Sequence, residues 1–238
     1  MKYMGSKNRI AKYLIPIISE NRNGRTWVEP FVGGCNMIDK IDGNRIGADS
    51  NIYLIALLKG IQTGWEPPEF ISKEKHKDIM KNKDKYDKKL VGWASTICTF
   101  RSTGDSYCGI SIEKNGIVRN YQTEGIKNIK KQAPNLNGID FQHCDYKKLI
   151  IPHNSLIYCD PPYQNTYQYK NVNKFDSVEF WQWCRDMTNK GHIVYISEYN
   201  APDDFECVWN MKLHCGLSND TNVEKLFTLK LKPTKWAK

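Results

Sequence analysis

Asp160, Pro161, Pro162 and Tyr163 are the residues whose types and order could do chemistry together. They follow an apolar run, Leu156 to Cys159, of the right length for a strand buried on both faces. Neither proline can donate a backbone hydrogen bond, so the strand must stop there. The result is a carboxylate at the carboxyl end of a core strand, on a stiff loop with an aromatic ring beside it. Open α/β sheets bind their ligands at that edge. A carboxylate, fixed proline carbonyls and a stacking ring suit the holding of a planar, amine-bearing base. A Pro-rich turn with Asp160 as a cap is the plainer reading of the same residues.

A second constellation lies upstream. Thr26 to Glu29 is strand-like, Pro30-Phe31-Val32-Gly33-Gly34 is a glycine-bearing loop, and a helix is expected from Asn36. Strand, glycine loop, helix is how a nucleotide-binding βαβ unit opens, although the full G-x-G-x-x-G is absent. Arg45 to Ala48 reads as the next strand, closed by Asp49 sixteen residues past Gly33. An acid there can accept both hydroxyls of a ribose. It can equally cap a helix over Ile52–Lys59. Loop and acid together favour a nucleoside-containing cofactor.

The positioning elements follow from periodicity. Ile10, Tyr13, Leu14, Ile17 and Ile18 mark one face of a helix over about 6–20, with Ser6 as N-cap and Pro16 as kink or terminus. Ahead of it, Tyr3 and Lys7 are one turn apart, at a frayed end or pointing into a site. Gly64 to Pro68 breaks the rhythm. Residues 72–89 alternate lysines with acids, as solvated helices or linkers do. An apolar helix or strand runs from Trp93 to Phe100, and Arg101–Gly109 is loop-like. Arg119–Gln122 is polar with interleaved aromatics that suit the reading of bases and phosphates or equally a surface loop, and a basic helix ends before Pro134. The βα rhythm returns with strands at 139–144, 156–159 and 192–196. A buried helix runs from Asp176 or Ser177 to about Asn189, and Cys207–Trp209 with Leu226–Leu231 form a final antiparallel pair. The expected fold is α/β and Rossmann-like, with residues 1–60 and 135–238 catalytic. Residues 61–134 form an inserted, mainly helical subdomain.

Composition narrows the partners. The chain has 238 residues and a net charge of +9, which favours a polyanion, and thirteen Tyr and seven Trp supply rings for cores or bases. The eight cysteines are scattered without a Cys-x-x-Cys pair, as in a reduced, cytoplasmic protein. Cys207, His214 and Cys215 fit no common zinc spacing, so no metal is expected. Neither a signal peptide nor an apolar run of membrane-spanning length is evident, which predicts a soluble protein.

These motifs, in this order, resemble the Dam type of DNA adenine methyltransferase, and more narrowly its short bacteriophage forms. Lys2-Tyr3-Met4-Gly5-Ser6-Lys7 is similar to the family's Lys-aromatic-x-Gly-x-Lys opening. Glu29-Pro-Phe-Val-Gly-Gly34 resembles its cofactor loop, and Asp49-Ser-Asn51 and Asp160-Pro-Pro-Tyr163 follow at the family's distances. The resemblance implies S-adenosylmethionine as methyl donor and an adenine amine in duplex DNA as acceptor. It implies donor contacts from Tyr3, Lys7, Glu29, Pro30, Phe31, Gly33, Gly34, Asp49, Asp145 and Asp160. Chemistry falls to Asp160, Pro161, Pro162 and Tyr163, and target recognition to residues 61–134. No obligate protein partner or membrane is implied, and the host is a bacterial or phage-infected cell. The chain departs from the family in carrying Cys35 at a small-residue position, and residues 95–125 show no obvious GATC-reading motif. The rivals are transfer to cytosine's exocyclic amine, an inactive DNA-binding relative, and a dehydrogenase-type nucleotide enzyme, which would leave Asp160 to Tyr163 unexplained.

Overall fold

The computed structural model describes residues 1–99, 106–112, 116–163, 175–214 and 221–230. Its elements in chain order are α1 (Ala11–Ser19), β1 (Trp27–Glu29), β2 (Arg45–Asp49), α2 (Ile52–Gln62), α3 (Lys73–Lys81) and α4 (Lys88–Thr96). Then come β3 (Ile110–Ile112), β4 (Val118–Asn120), α5 (Tyr121–Gln132), β5 (Ile139–His143), β6 (Leu156–Cys159), α6 (Ser177–Asn189), β7 (Ile193–Glu198), β8 (Phe205–His214) and β9 (Thr221–Leu229). By packing, the chain divides into two compact units. One comprises Met1–Lys12 and Pro30–Leu149, the other Tyr13–Glu29 and Ile150–Lys238.

In the first unit β2 pairs in parallel with β5, Arg45 opposite Ile139 and Asp49 opposite His143. Helix α2 starts where Asn51 accepts from the Tyr53 and Leu54 amides. It buries Leu54, Ile55, Leu57, Leu58 and Ile61, leaving few apolar side chains outside. The lysine-rich stretch is helical over Lys73–Lys81, then a 3-10 turn at Lys83–Lys85 leads to α4. Ser72 caps α3, whose His76 and Ile79 turn inward while Lys73, Lys75 and Lys77 stay exposed. Here too β3 and β4 form a small antiparallel hairpin.

Two expectations are corrected in this unit. The helix expected from Asn36 is only a 3-10 turn, Ile38–Lys40. It ends where the Ile41 backbone becomes extended, and Gly43, at φ 75°, follows before β2 begins. Asn36 spends its side chain on Met1, accepting from the amino group and donating to the carbonyl, both at 3.1 Å. The surface-loop alternative at Arg119–Gln122 gives way to the end of β4 and the start of α5. The Asn120 side chain stops the strand by accepting from the Gln122 and Thr123 amides.

In the second unit the strand order is β1-β6-β7-β9-β8. β1, β6 and β7 are parallel, and β9 runs antiparallel to both β7 and β8. All four residues of β6 are buried, as the unbroken apolar run predicts. Asp176 caps α6, whose Phe180, Trp181, Trp183 and Cys184 are buried. Pro16 lies within α1, near its end. The described cysteines are free, and among the described residues no helix is long and apolar enough to cross a membrane. Phe100, Arg101 to Asp105 and Cys215, on which expectations from the sequence fell, lie outside the described residues.

Two buried histidines give the fold an acid-sensitive side. Burial holds His76 below its ordinary pKa, as it does His192, where His153 and Lys190 add repulsion. His192 Nδ1 accepts from the Ser155 amide at 3.1 Å, a role that protonation removes. Since the unfolded chain binds more protons below about pH 6.5, stability is intact above that value and falls as pH drops towards the lowered pKa values. Urea denaturation at a series of pH values should therefore show a midpoint that declines with acid. His192→Gln should flatten the decline, and an unchanged slope would reject the assignment.

Candidate functional site

In the first unit the site is built around the Asp49 carboxylate, at the carboxyl end of β2. Oδ2 accepts the Gly33 amide at 3.2 Å and Oδ1 the Asn51 amide at 2.9 Å. Asn51, not Asp49, caps α2, so the capping alternative is settled. The carboxylate is half-buried. Burial pushes its pKa up, while the two amides and His143 pull it back. A carboxylate offers about four lone-pair sites, so two amides leave capacity for ribose hydroxyls.

The glycine loop is held against this acid. The Val32 amide donates to the Ala48 carbonyl at 2.8 Å, and Gly33 sits at φ 47°. The glycines are required by Tyr3. A Cβ on Gly33 would lie 2.9 Å from Tyr3 Cε1, and one on Gly34 2.7 Å from both Tyr3 Cβ and Asn36 Nδ2. The loop backbone is thus closely approached by the chain's own aromatic. Cys35, standing where the resemblance expects a small residue, is fully buried at φ 57°.

Lys7 is buried, and its Nζ donates to the Gly5 carbonyl at 3.2 Å. Ser6 caps the 3-10 turn Lys7–Arg9. Phe31 packs on Tyr146 with ring centroids 5.2 Å apart. Asp145, just past β5, caps the turn Tyr146–Lys148 by accepting the Lys147 amide at 2.9 Å. Tyr3, Phe31, Gly33, Gly34, Asp49 and Asp145 therefore belong to one unit, as do Pro30 and Lys7. Sequence reasoning missed Gln132, at the end of α5. Its buried Nε2 donates to the Gly34 and Cys35 carbonyls, both at 3.1 Å, and to Asp39 Oδ2 at 2.8 Å. Its contacts reach 97 and 98 residues back along the chain, and no local pattern signals them.

In the second unit, Glu29 ends β1, with its buried carboxylate accepting Trp27 Nε1 at 2.8 Å. Asp160 is half-buried at the end of β6, Pro161 is buried and Pro162 exposed. The end of β6 is pinned to β7 by a 2.8 Å hydrogen bond between the Tyr158 and Ser197 hydroxyls. Tyr163 is 8% exposed, and its hydroxyl donates to Glu224 Oε2 at 2.8 Å. Its ring meets Tyr199 edge to face at 4.7 Å. Burial first, then the Asp160 and Glu224 carboxylates, raise the Tyr163 pKa well above the ordinary value, so the phenol keeps its proton. Glu224 lies 61 residues from Tyr163, and no spacing rule signals it. Among the described residues no cluster of three or more His, Cys, Asp or Glu side chains could hold a metal ion.

An acid ending one strand after a glycine loop, in a mostly parallel α/β framework, is the arrangement of the Rossmann-like fold class. The particular family is given by residues 3–95 and 93–206, which match the D12 class N6 adenine-specific DNA methyltransferases, and the chain belongs to that family. Among solved structures it is similar to SMU.472, described as a methyltransferase complexed with SAH. The identity is 11%, the TM-score 0.40, and the match covers 97% of this chain and 54% of that one. The chain thus spans about half the length of SMU.472. A methyltransferase from Escherichia coli, yhhF, matches at 8% identity and TM-score 0.39, over 94% of this chain and 86% of that one. No curated protein matches.

Replacing Gly33 by Ala should cost about 1–3 kcal/mol through overpacking against Tyr3. Adding Tyr3→Ala should recover the packing share and leave about 1–2 kcal/mol of left-handed backbone strain. A double variant no more stable than Gly33→Ala, by denaturant titration on the Tyr3→Ala background, would disprove the packing claim.

Proposed function

We propose that this chain is a site-specific DNA adenine methyltransferase that uses S-adenosylmethionine on an adenine extruded from duplex DNA. The observation that carries this reading is Asp160-Pro161-Pro162-Tyr163 at the carboxyl end of the buried strand β6, in a chain of the D12 family. Bound S-adenosylmethionine supplies an electrophilic methyl group. Asp49 takes the ribose hydroxyls. Tyr3, Lys7, Glu29, Pro30, Phe31, Gly33, Gly34 and Asp145 complete the donor site, with Asp160 contributing to both substrates.

An adenine amine is a poor nucleophile because its lone pair is delocalised into the ring. The Asp160 carboxylate and the Pro161 carbonyl accept its two N–H bonds and favour a pyramidal nitrogen, which frees the lone pair. Pro162 stiffens the loop, and positioning supplies much of the acceleration. Leaving the stack costs a few kcal/mol. The Tyr163 ring offsets about 1–3 kcal/mol of it by stacking.

Residues 61–134 serve as the target-recognition insert, appended to a catalytic part formed by 1–60 and 135–238. Exposed Lys73, Lys75 and Lys77 on α3 and the exposed Ile110, Ile112 and Val118 of the hairpin support that assignment. The enzyme acts in the cytoplasm of a bacterial or phage-infected cell, alone or beside a restriction partner, without an obligate protein subunit.

Asp160→Ala should abolish methyl transfer from tritiated donor to DNA while leaving the fold intact. Undiminished labelling would refute the proposed chemistry. Asp49→Ala should weaken donor binding by about ten- to a hundredfold, the worth of a charged hydrogen bond, with DNA affinity unchanged. Equilibrium dialysis showing wild-type donor affinity would remove the ribose role.

A further inference from the structure

The geometry of strand β9 assigns a role to a residue outside the recognised motifs. We propose that Glu224 is a positioning residue for methyl transfer, fixing the Tyr163 ring against Tyr199 before DNA arrives. The inference rests on the adenine-methyltransferase reading above.

β6 stops at Cys159, but β7 continues through Ser197 and Glu198, and its other side is taken by β9. Because β9 is antiparallel, Lys225 stands opposite Glu198, and the preceding residue, Glu224, lies at the carboxyl edge where the Asp160 loop leaves β6. There Glu224 Oε2 accepts the Tyr163 hydroxyl at 2.8 Å. Tyr199, just past β7, meets the same ring at 4.7 Å with an interplanar angle of 85°.

A tyrosine ring has two rotatable bonds. The edge-to-face contact restrains one side of the ring, and the hydroxyl bond restrains its far end. A base arriving from the duplex then meets a surface already set, and reorientation does not add to the cost of extrusion.

The test compares Glu224→Leu, Glu224→Gln, Tyr163→Phe and the double Tyr163→Phe/Glu224→Leu in single-turnover methylation. Glu224→Leu and Tyr163→Phe should each slow transfer by about ten- to a hundredfold, the scale of a misplaced reacting group. Glu224→Gln, which keeps an acceptor oxygen, should stay close to wild type. The double variant should be no slower than the slower single variant, and the donor dissociation constant should not move. Tyr163→Phe breaks the same bond from the other side, so the test survives a Glu224→Leu chain that fails to fold. Wild-type rates in Tyr163→Phe, losses that multiply, or Glu224→Gln as slow as Tyr163→Phe would overturn the role.

A second readout does not depend on activity. In protein labelled with 3-fluorotyrosine, the fluorine resonance absent from Tyr163→Phe should be narrow in wild type and in Glu224→Gln, and shifted or broadened in Glu224→Leu. If wild type transfers no methyl group to adenine but the resonance behaves in this way, the functional reading fails and the ring bracket stands. An unmoved resonance overturns the bracket itself.

Discussion

The donation of two backbone amides, Gly33 and Asn51, into the Asp49 carboxylate is the interaction on which the first unit's site depends. It joins a loop sixteen residues upstream to the end of β2. It also leaves Asn51 placed to cap α2, while the Asp49 carbonyl accepts the Cys144 amide at 3.2 Å just past β5. Four segments thus converge on one residue. Amides donated to an ionised carboxylate form charge-assisted bonds, stronger than neutral ones. They work against the desolvation that raises the Asp49 pKa. Losing either amide would leave the burial cost and remove part of what opposes it.

The same loop illustrates how packing and binding compete for a glycine. Gly33 and Gly34 are pressed by Tyr3, and Gln132 holds the Gly34 and Cys35 carbonyls. The loop's path is therefore set by the protein before any ligand is considered. That gives Cys35 a reason to tolerate φ 57°: its neighbours on both sides are fixed, and its small buried side chain fits the space left. Preorganisation of this kind removes ordering costs from the binding step.

Much of this was legible in the residues. β1 and β6 are buried throughout and lie between punctuating residues, β2 and β5 are short strands ended by polar residues, and Asp176 and Asn189 bound an aromatic-rich helix, so these elements were readable. The lysines of α3 read as a solvated face for the same local reason. Where long-range contacts decide, the sequence was silent. Asn36 looked like a helix start but binds Met1. Arg119 to Gln122 looked like a loop, since three strand residues followed directly by a cap leave no periodic signal. Gln132 and Glu224 act across 98 and 61 residues. Their roles are made by the fold, and propensity carries no trace of them.

The electrostatics around Tyr163 bear on how a methylated amine would lose its proton. Methyl transfer to a neutral amine leaves a cationic nitrogen, which must then shed a hydrogen. A tyrosinate would be a strong base for that purpose, but here burial and two carboxylates oppose ionisation of the phenol. Tyr158 is held in its neutral form by burial and Asp160 as well. Both hydroxyls are moreover committed, one to Glu224 and the other to Ser197. The tyrosines beside the motif are therefore unsuited to act as bases. Within the Asp160 to Tyr163 motif that leaves the Asp160 carboxylate as the negative group. In the mechanism proposed above, its charge would stabilise a cation developing on the amine, and Tyr163 would contribute a surface rather than a base.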